Sequence, residues 1–250
     1  MEALGLGLFM VSAGVFGTLL EYPGSPVHAA VPNAFVRRAL MGAIMGLTAI
    51  GLVYSPWGKR SGAHINPAFT WTFFRLGRIR GKDAVAYTVA QFAGGLGGTA
   101  LVALALGRAF LGPPVAGVAT MPGPGGVVVA FVAEVAISGA LVFLVLTLGR
   151  LPRLAPFTGL FVGAVVCLYI TFEAPLSGMS MNPARTFASA VVVGNFANLW
   201  LYFTAPLVGM LAATELRLAL DPHCPGCAKL FHRLPCVFCE DAAARQTSEA

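Results

Sequence analysis

Ser177-Gly178-Met179-Ser180-Met181-Asn182-Pro183-Ala184-Arg185-Thr186 is the stretch that decides the fold. Its core occurs once more, as Ser61-Gly62-Ala63-His64-Ile65-Asn66-Pro67-Ala68. Asparagine is a strong helix N-cap, and proline suits the first helical position, where its missing N–H costs nothing. Each Asn-Pro-Ala therefore says that a helix starts there. Each follows a hydrophobic run and precedes a short apolar stretch, 69–74 and 186–193. Neither stretch reaches the ~20 residues needed to cross a bilayer. One such triplet alone would read as an ordinary helix start in a loop. Two in the same setting point to two half-helices that enter a membrane and stop. Irregular backbone is not tolerated against lipid, so the segments leading into them must be buried or line water.

Composition agrees. The chain has 250 residues, 57% hydrophobic and 10% charged, against about 25% charged in soluble domains. The partner implied is a lipid bilayer. The net charge of +6 does not imply nucleic acid, because the basic residues sit in short connectors and no nucleic-acid motif accompanies them. Six runs are expected to span: 3–20, 39–54, 84–106, 127–148, 154–172 and 199–220. The second is short, and the fifth reaches full length only by including Pro156. The first starts with no basic leader and no small-residue cleavage site, so it reads as a retained span.

Basic residues orient the chain. With the N-terminus inside, the inner segments hold Lys59, Arg60, Arg75, Arg78, Arg80, Lys82, Arg150 and Arg153, and the tail adds more; only Arg37, Arg38 and Arg108 lie outside. Both termini are therefore expected in the cytoplasm, in a plasma or inner membrane. Three spans per half invert the second half relative to the first, with halves at about 1–107 and 127–220 and linkers rich in Pro and Gly at 22–35 and 112–126. Glu2 and Glu134 fall at similar places in the opening spans of the two halves.

A helix that begins in mid-membrane aims its positive dipole end at the bilayer centre. Two such ends meeting there repel cations and hydronium and leave neutral molecules unaffected. Asn66 and Asn182 would also offer amide donors. Residues 62–65 and 178–181 are expected to be extended, with their carbonyls forming a ladder of acceptors. Arg185 has no neighbouring basic run and reads as a buried functional arginine. No Ser/His/Asp or paired-carboxylate catalytic set is present, so an enzyme is not expected.

Taken together, these residues resemble the aquaporin/major intrinsic protein family. The resemblance rests on the two Ser-Gly…Asn-Pro-Ala stretches, with Glu2, Gln91, Glu134 and Pro206 where the family has similar landmarks. It implies an all-α membrane fold of six transmembrane helices plus two re-entrant half-helices in residues 1–220. It implies a homotetramer with one pore per subunit, passive flow of water or small neutral solutes, and no cofactor for transport. Arg185, Met179 and Ile170 match three positions of the family's selectivity filter. The fourth falls at Met45 if one residue is inserted near Lys59-Arg60, and at Gly46 otherwise. Strict water channels resemble Phe, His and a small residue at the other three positions, and glycerol facilitators resemble Trp, Gly and Phe; this chain fits neither. Thr186, Ala190, Tyr202 and Phe203 look more like the water-channel side. Water is the first choice, and glycerol or hydrogen peroxide the alternatives. Glu2 and Glu134 resemble the glutamates that brace the loops, and His64 reads as a loop hydrogen bonder.

Two further readings belong to other classes. A secondary transporter needs central carboxylates, and Glu2, Glu134, Glu173 and Glu215 all read as near span ends. A metal- or redox-gated channel would use the tail, 221–250, read as a cytoplasmic Cys/His-rich segment. There Cys224 and Cys227, His232, and Cys236 and Cys239 have spacing that zinc sites use. Unliganded thiols, or a redox or lipid-attached thiol, remain the alternatives.

Overall fold

The structure is a computed structural model that describes residues 1–220. The five tail residues expected to hold zinc, Cys224, Cys227, His232, Cys236 and Cys239, lie outside the described residues. Among the described residues, six helices are long and apolar enough to cross a membrane, with mean hydropathy from 1.3 to 2.5. They are α1 (Glu2–Glu21), α2 (Ala34–Tyr54), α4 (Gly81–Leu106), α5 (Gly126–Leu148), α6 (Thr158–Phe172, led by a 3-10 turn at Ala155–Phe157) and α8 (Leu199–Leu220). Two shorter helices, α3 (Pro67–Arg75) and α7 (Pro183–Val193), begin at the two prolines. Large apolar side chains face outward, among them Leu104 at 85% and Val128 at 76% exposure, as a lipid-facing surface requires.

Two points depart from the sequence reading. The second span is not short. Asn33 caps α2 by accepting the N–H groups of Phe35 and Val36. The helix then carries two arginines that a hydropathy pattern would place in a loop. Arg37 is tolerated because it pairs with Glu21 at 3.1 Å and donates to the carbonyls of Val31 and Pro32. Arg38 donates to the carbonyl of Thr171 at 2.9 Å. The second departure concerns Glu134, which is not near a span end. Helix α5 starts at Gly126, so Glu134 sits more than two turns inside it, whereas Glu2 is the first residue of α1.

The helices pack in a pattern that respects two inverted halves. Helix α1 lies against α4 in the first half, and α5 against α8 in the second, while α2 and α6 meet across the halves. Each half-helix crosses over: α7 packs on α4, and α3 on α8. Small residues permit these approaches, since association in lipid relies on close backbone packing. A Cβ at Gly46 would sit 2.5 Å from the carbonyl oxygen of Gly163, and one at Gly163 2.6 Å from that of Gly46. Helices α2 and α6 therefore touch backbone to backbone.

Candidate functional site

Each half-helix begins at an asparagine whose side chain closes its first turn. Asn66 Oδ1 accepts the N–H groups of Ala68 and Phe69, and Asn182 Oδ1 those of Ala184 and Arg185. Pro67 and Pro183 occupy the first helical positions, with Ala68 and Ala184 buried behind them. The amide nitrogens reach the other way. Asn66 Nδ2 donates to the carbonyl of Met181 at 2.6 Å, and Asn182 Nδ2 to that of Ile65 at 2.8 Å. Each asparagine thus bonds to the residue just before the other. An amide nitrogen carries two donors, so each keeps a second N–H beyond this crossing.

The segments leading to the asparagines are not extended, contrary to the sequence reading. Gly62 and Gly178 have φ of 94° and 82°, and the left-handed region recurs at Ala63 and Ile65 and at Met179 and Met181, with φ between 41° and 54°. The offsets from the asparagine are the same in both halves. Non-glycine residues adopt this conformation only where surroundings enforce it. Here the enforcing groups are buried carboxylates. Glu2 accepts from Ser61 Oγ at 2.7 Å and from the N–H groups of His64 and Ile65 at 3.2 and 2.6 Å. Glu134 accepts from Ser177 Oγ at 2.8 Å and from the N–H groups of Ser180 and Met181 at 2.6 and 2.8 Å. The alternating backbone turns successive N–H groups toward the glutamate, which leaves carbonyls on the opposite side.

A second pair of braces escaped the sequence reading. Tyr87 donates to the carbonyl of Ser61 at 2.8 Å, and Tyr202 to that of Ser177 at 2.6 Å. The signal was present: each Ser-Gly pair precedes its asparagine at equal spacing, and each tyrosine stands four residues before the landmarks Gln91 and Pro206. The halves differ at those landmarks. Gln91 Nε2 donates to Glu2 at 2.7 Å and to Thr70 Oγ1 at 3.0 Å, which proline cannot imitate. His64 shares a hydrogen bond with Thr70 Oγ1 at 3.2 Å and stacks on Phe73. In the second half a chain of hydroxyls, Thr120–Thr186–Ser180, ties the preceding linker to the loop.

These elements enclose a cavity of about 480 Å³. Ala34, Arg38, Met41, Met45 and Val53 line it, so it follows α2 for most of its length, roughly 30 Å of helix. Asn66, Asn182 and His64 border it, as do Met45, Ile170, Met179 and Arg185. Gly46 instead faces Gly163. Glu2 and Glu134 stand behind the loops, away from the lining. Arg185 Nη1 is shielded from solvent and has no hydrogen-bond partner. The residue as a whole is only partly buried and lines the cavity, where its charge can act on what passes. Among the described residues, no cluster of three or more His, Cys, Asp or Glu is arranged to hold a metal.

A family model described as Major intrinsic protein matches residues 2–216. Aquaporin NIP1-3 of Oryza sativa subsp. japonica is 38% identical over 168 residues, 67% of this chain and 57% of that protein. Aquaporin NIP1-1 of Zea mays is 31% identical over 206 residues, 81% of this chain and 71% of that protein. The matched region thus spans little more than half the length of some of these relatives. In fold, the chain is similar to the aquaglyceroporin from Plasmodium falciparum, with a TM-score of 0.72 at 22% identity, covering 88% of this chain and 95% of that one. The chain belongs to the Major intrinsic protein family, whose members are membrane channels and not enzymes.

Proposed function

We propose that the protein is a passive transmembrane channel for water and small neutral solutes, closed to protons and ions. The carrying observation is the reciprocal crossing of Asn66 and Asn182 at the starts of two half-helices that border one cavity. Each helix start contributes about half a positive charge, which disfavours a cation between them. The spare amide N–H groups and the backbone carbonyls satisfy a water or hydroxyl group as it passes. Met45, Ile170, Met179 and Arg185 are assigned as the selectivity filter, with Glu2, Glu134 and His64 bracing the loops. The assembly is a homotetramer with both termini in the cytoplasm, in a plasma or inner membrane. Residues 1–220 form the channel unit and 221–250 a cytoplasmic tail.

Three of the four assigned filter side chains are apolar, which favours a second reading: facilitation of glycerol or hydrogen peroxide. Stopped-flow measurements with water, glycerol and hydrogen peroxide on the same vesicles decide between them. Fast flux with a low activation energy and no proton current is expected. Flux equal to that of empty vesicles, with protein inserted, would overturn the channel assignment.

A further inference from the structure

Four of the eight methionines, Met41, Met45, Met179 and Met181, line the cavity. Met179 and Met181 keep 7% and 6% of their surface open to a water-sized molecule, and Met45 only 1%. A reagent that reaches Met179 or Met181 must therefore be small and come from the cavity. Arg185, partly buried, lines the same cavity.

We propose that the cavity is a methionine-oxidation site for small hydroperoxides, and that oxidation of Met179 and Met181 lowers solute flux. In the reaction a sulfur lone pair attacks one oxygen of hydrogen peroxide. The S–O bond forms as the O–O bond breaks; sulfur loses two electrons and the peroxide gains them. The departing hydroxide takes the proton left on the transferred oxygen and leaves as water. The product is a sulfoxide, a polar group with a strong acceptor oxygen where an apolar chain stood. The added oxygen narrows the cavity and competes with solutes for the hydrogen-bonding groups that border it. The flux half of the proposal rests on the channel assignment above; the oxidation half does not.

The other methionines supply internal controls. Met1 and Met121 are 52% and 37% exposed, and Met10 and Met210 are fully buried and do not line the cavity. The full chain in lipid vesicles is treated with hydrogen peroxide or with the bulkier tert-butyl hydroperoxide, matched for conversion of Met121. Peptide mass spectrometry then locates each added oxygen. Hydrogen peroxide is expected to convert Met179 and Met181 as well as the exposed Met1 and Met121, the bulky reagent Met1 and Met121 but neither Met179 nor Met181, and neither reagent Met10 or Met210. Equal conversion of Met179 and Met181 by both reagents, or their sparing by hydrogen peroxide, overturns the site. Water flux after hydrogen peroxide is expected to fall about threefold relative to the same vesicles before treatment, a barrier change of ~0.6 kcal/mol. In the M179L/M181L double variant the ratio after to before stays near one, whatever its starting flux. Conversion without a fall in flux overturns the regulatory half. Absent flux in untreated vesicles would refute the channel assignment, while the mass pattern still decides the oxidation site.

Discussion

Glu134 shows how much one residue carries at this site. Its two oxygens accept one hydroxyl and two backbone N–H groups, all buried. Glu134→Gln keeps the shape but sets an amide N–H₂ against one of those donors. The expected loss is about 2–4 kcal/mol, since hydrogen bonds to a charged group are strong and a buried unmatched donor is costly. Thermal unfolding in micelles should show a lowered midpoint, together with reduced solute flux. An unchanged midpoint would mean that the loop holds its shape without the carboxylate. The filter assignment has its own test at this scale. Met179→Ala and Ile170→Ala each remove bulk from the cavity wall, and the glycerol-to-water flux ratio should rise by about tenfold, the scale on which a pocket discriminates a small group. A ratio unmoved in both variants would put the constriction elsewhere. The asparagines and prolines were legible from helix-capping chemistry alone. The tyrosine braces were legible only by comparing the halves, because a phenol donating to a carbonyl far away in sequence leaves no pattern around itself.

At the scale of elements, close contact depends on which glycines lack room. In α4 a Cβ at Gly98 would collide with the backbone of Gly7, whereas Gly97 faces open space. Gly98→Ala must push α1 from α4 and is expected to cost about 1–3 kcal/mol, the usual range for overpacking. Gly97→Ala should leave stability unchanged or slightly raise it, because alanine favours the helix. Unfolding midpoints of the two variants in the same detergent check this, and equal destabilisation would sink the packing account. The six spans were legible because hydropathy reports lipid contact directly. Their ends were less so. Arg37 extends α2 by five residues beyond the apolar run, because Glu21 and two carbonyls satisfy a charge that the run itself cannot explain. The loops before the half-helices escaped for a similar reason: their left-handed residues are imposed by carboxylates remote in sequence.

Over the whole molecule, the two halves are nearly interchangeable in their bonding, and their half-helices meet at their asparagines. Glu2 and Glu134, Ser61 and Ser177, and Tyr87 and Tyr202 repeat one set of contacts, and the halves join where Asn66 and Asn182 exchange hydrogen bonds. The barrier to cations belongs to this junction and to neither half alone. Two helix starts of about +0.5 each sum to roughly one positive charge, which one carboxylate would cancel. Asn66→Asp keeps an oxygen to cap α3 but adds that negative charge, and it also loses the donor to Met181. Asn66→Ser likewise caps the helix and loses the donor, but adds no charge. Proton entry into vesicles, followed with an internal pH dye, should therefore rise about tenfold for Asn66→Asp, a barrier lower by ~1.4 kcal/mol. Asn66→Ser should remain tight. Because the junction is reciprocal, Asn182→Asp should leak as Asn66→Asp does. Equal leakage from the serine variant would assign the barrier to the crossing hydrogen bonds and not to the field. If neither aspartate variant leaks, the exclusion of protons rests on Arg185 and Arg38, fixed positive charges on the cavity wall.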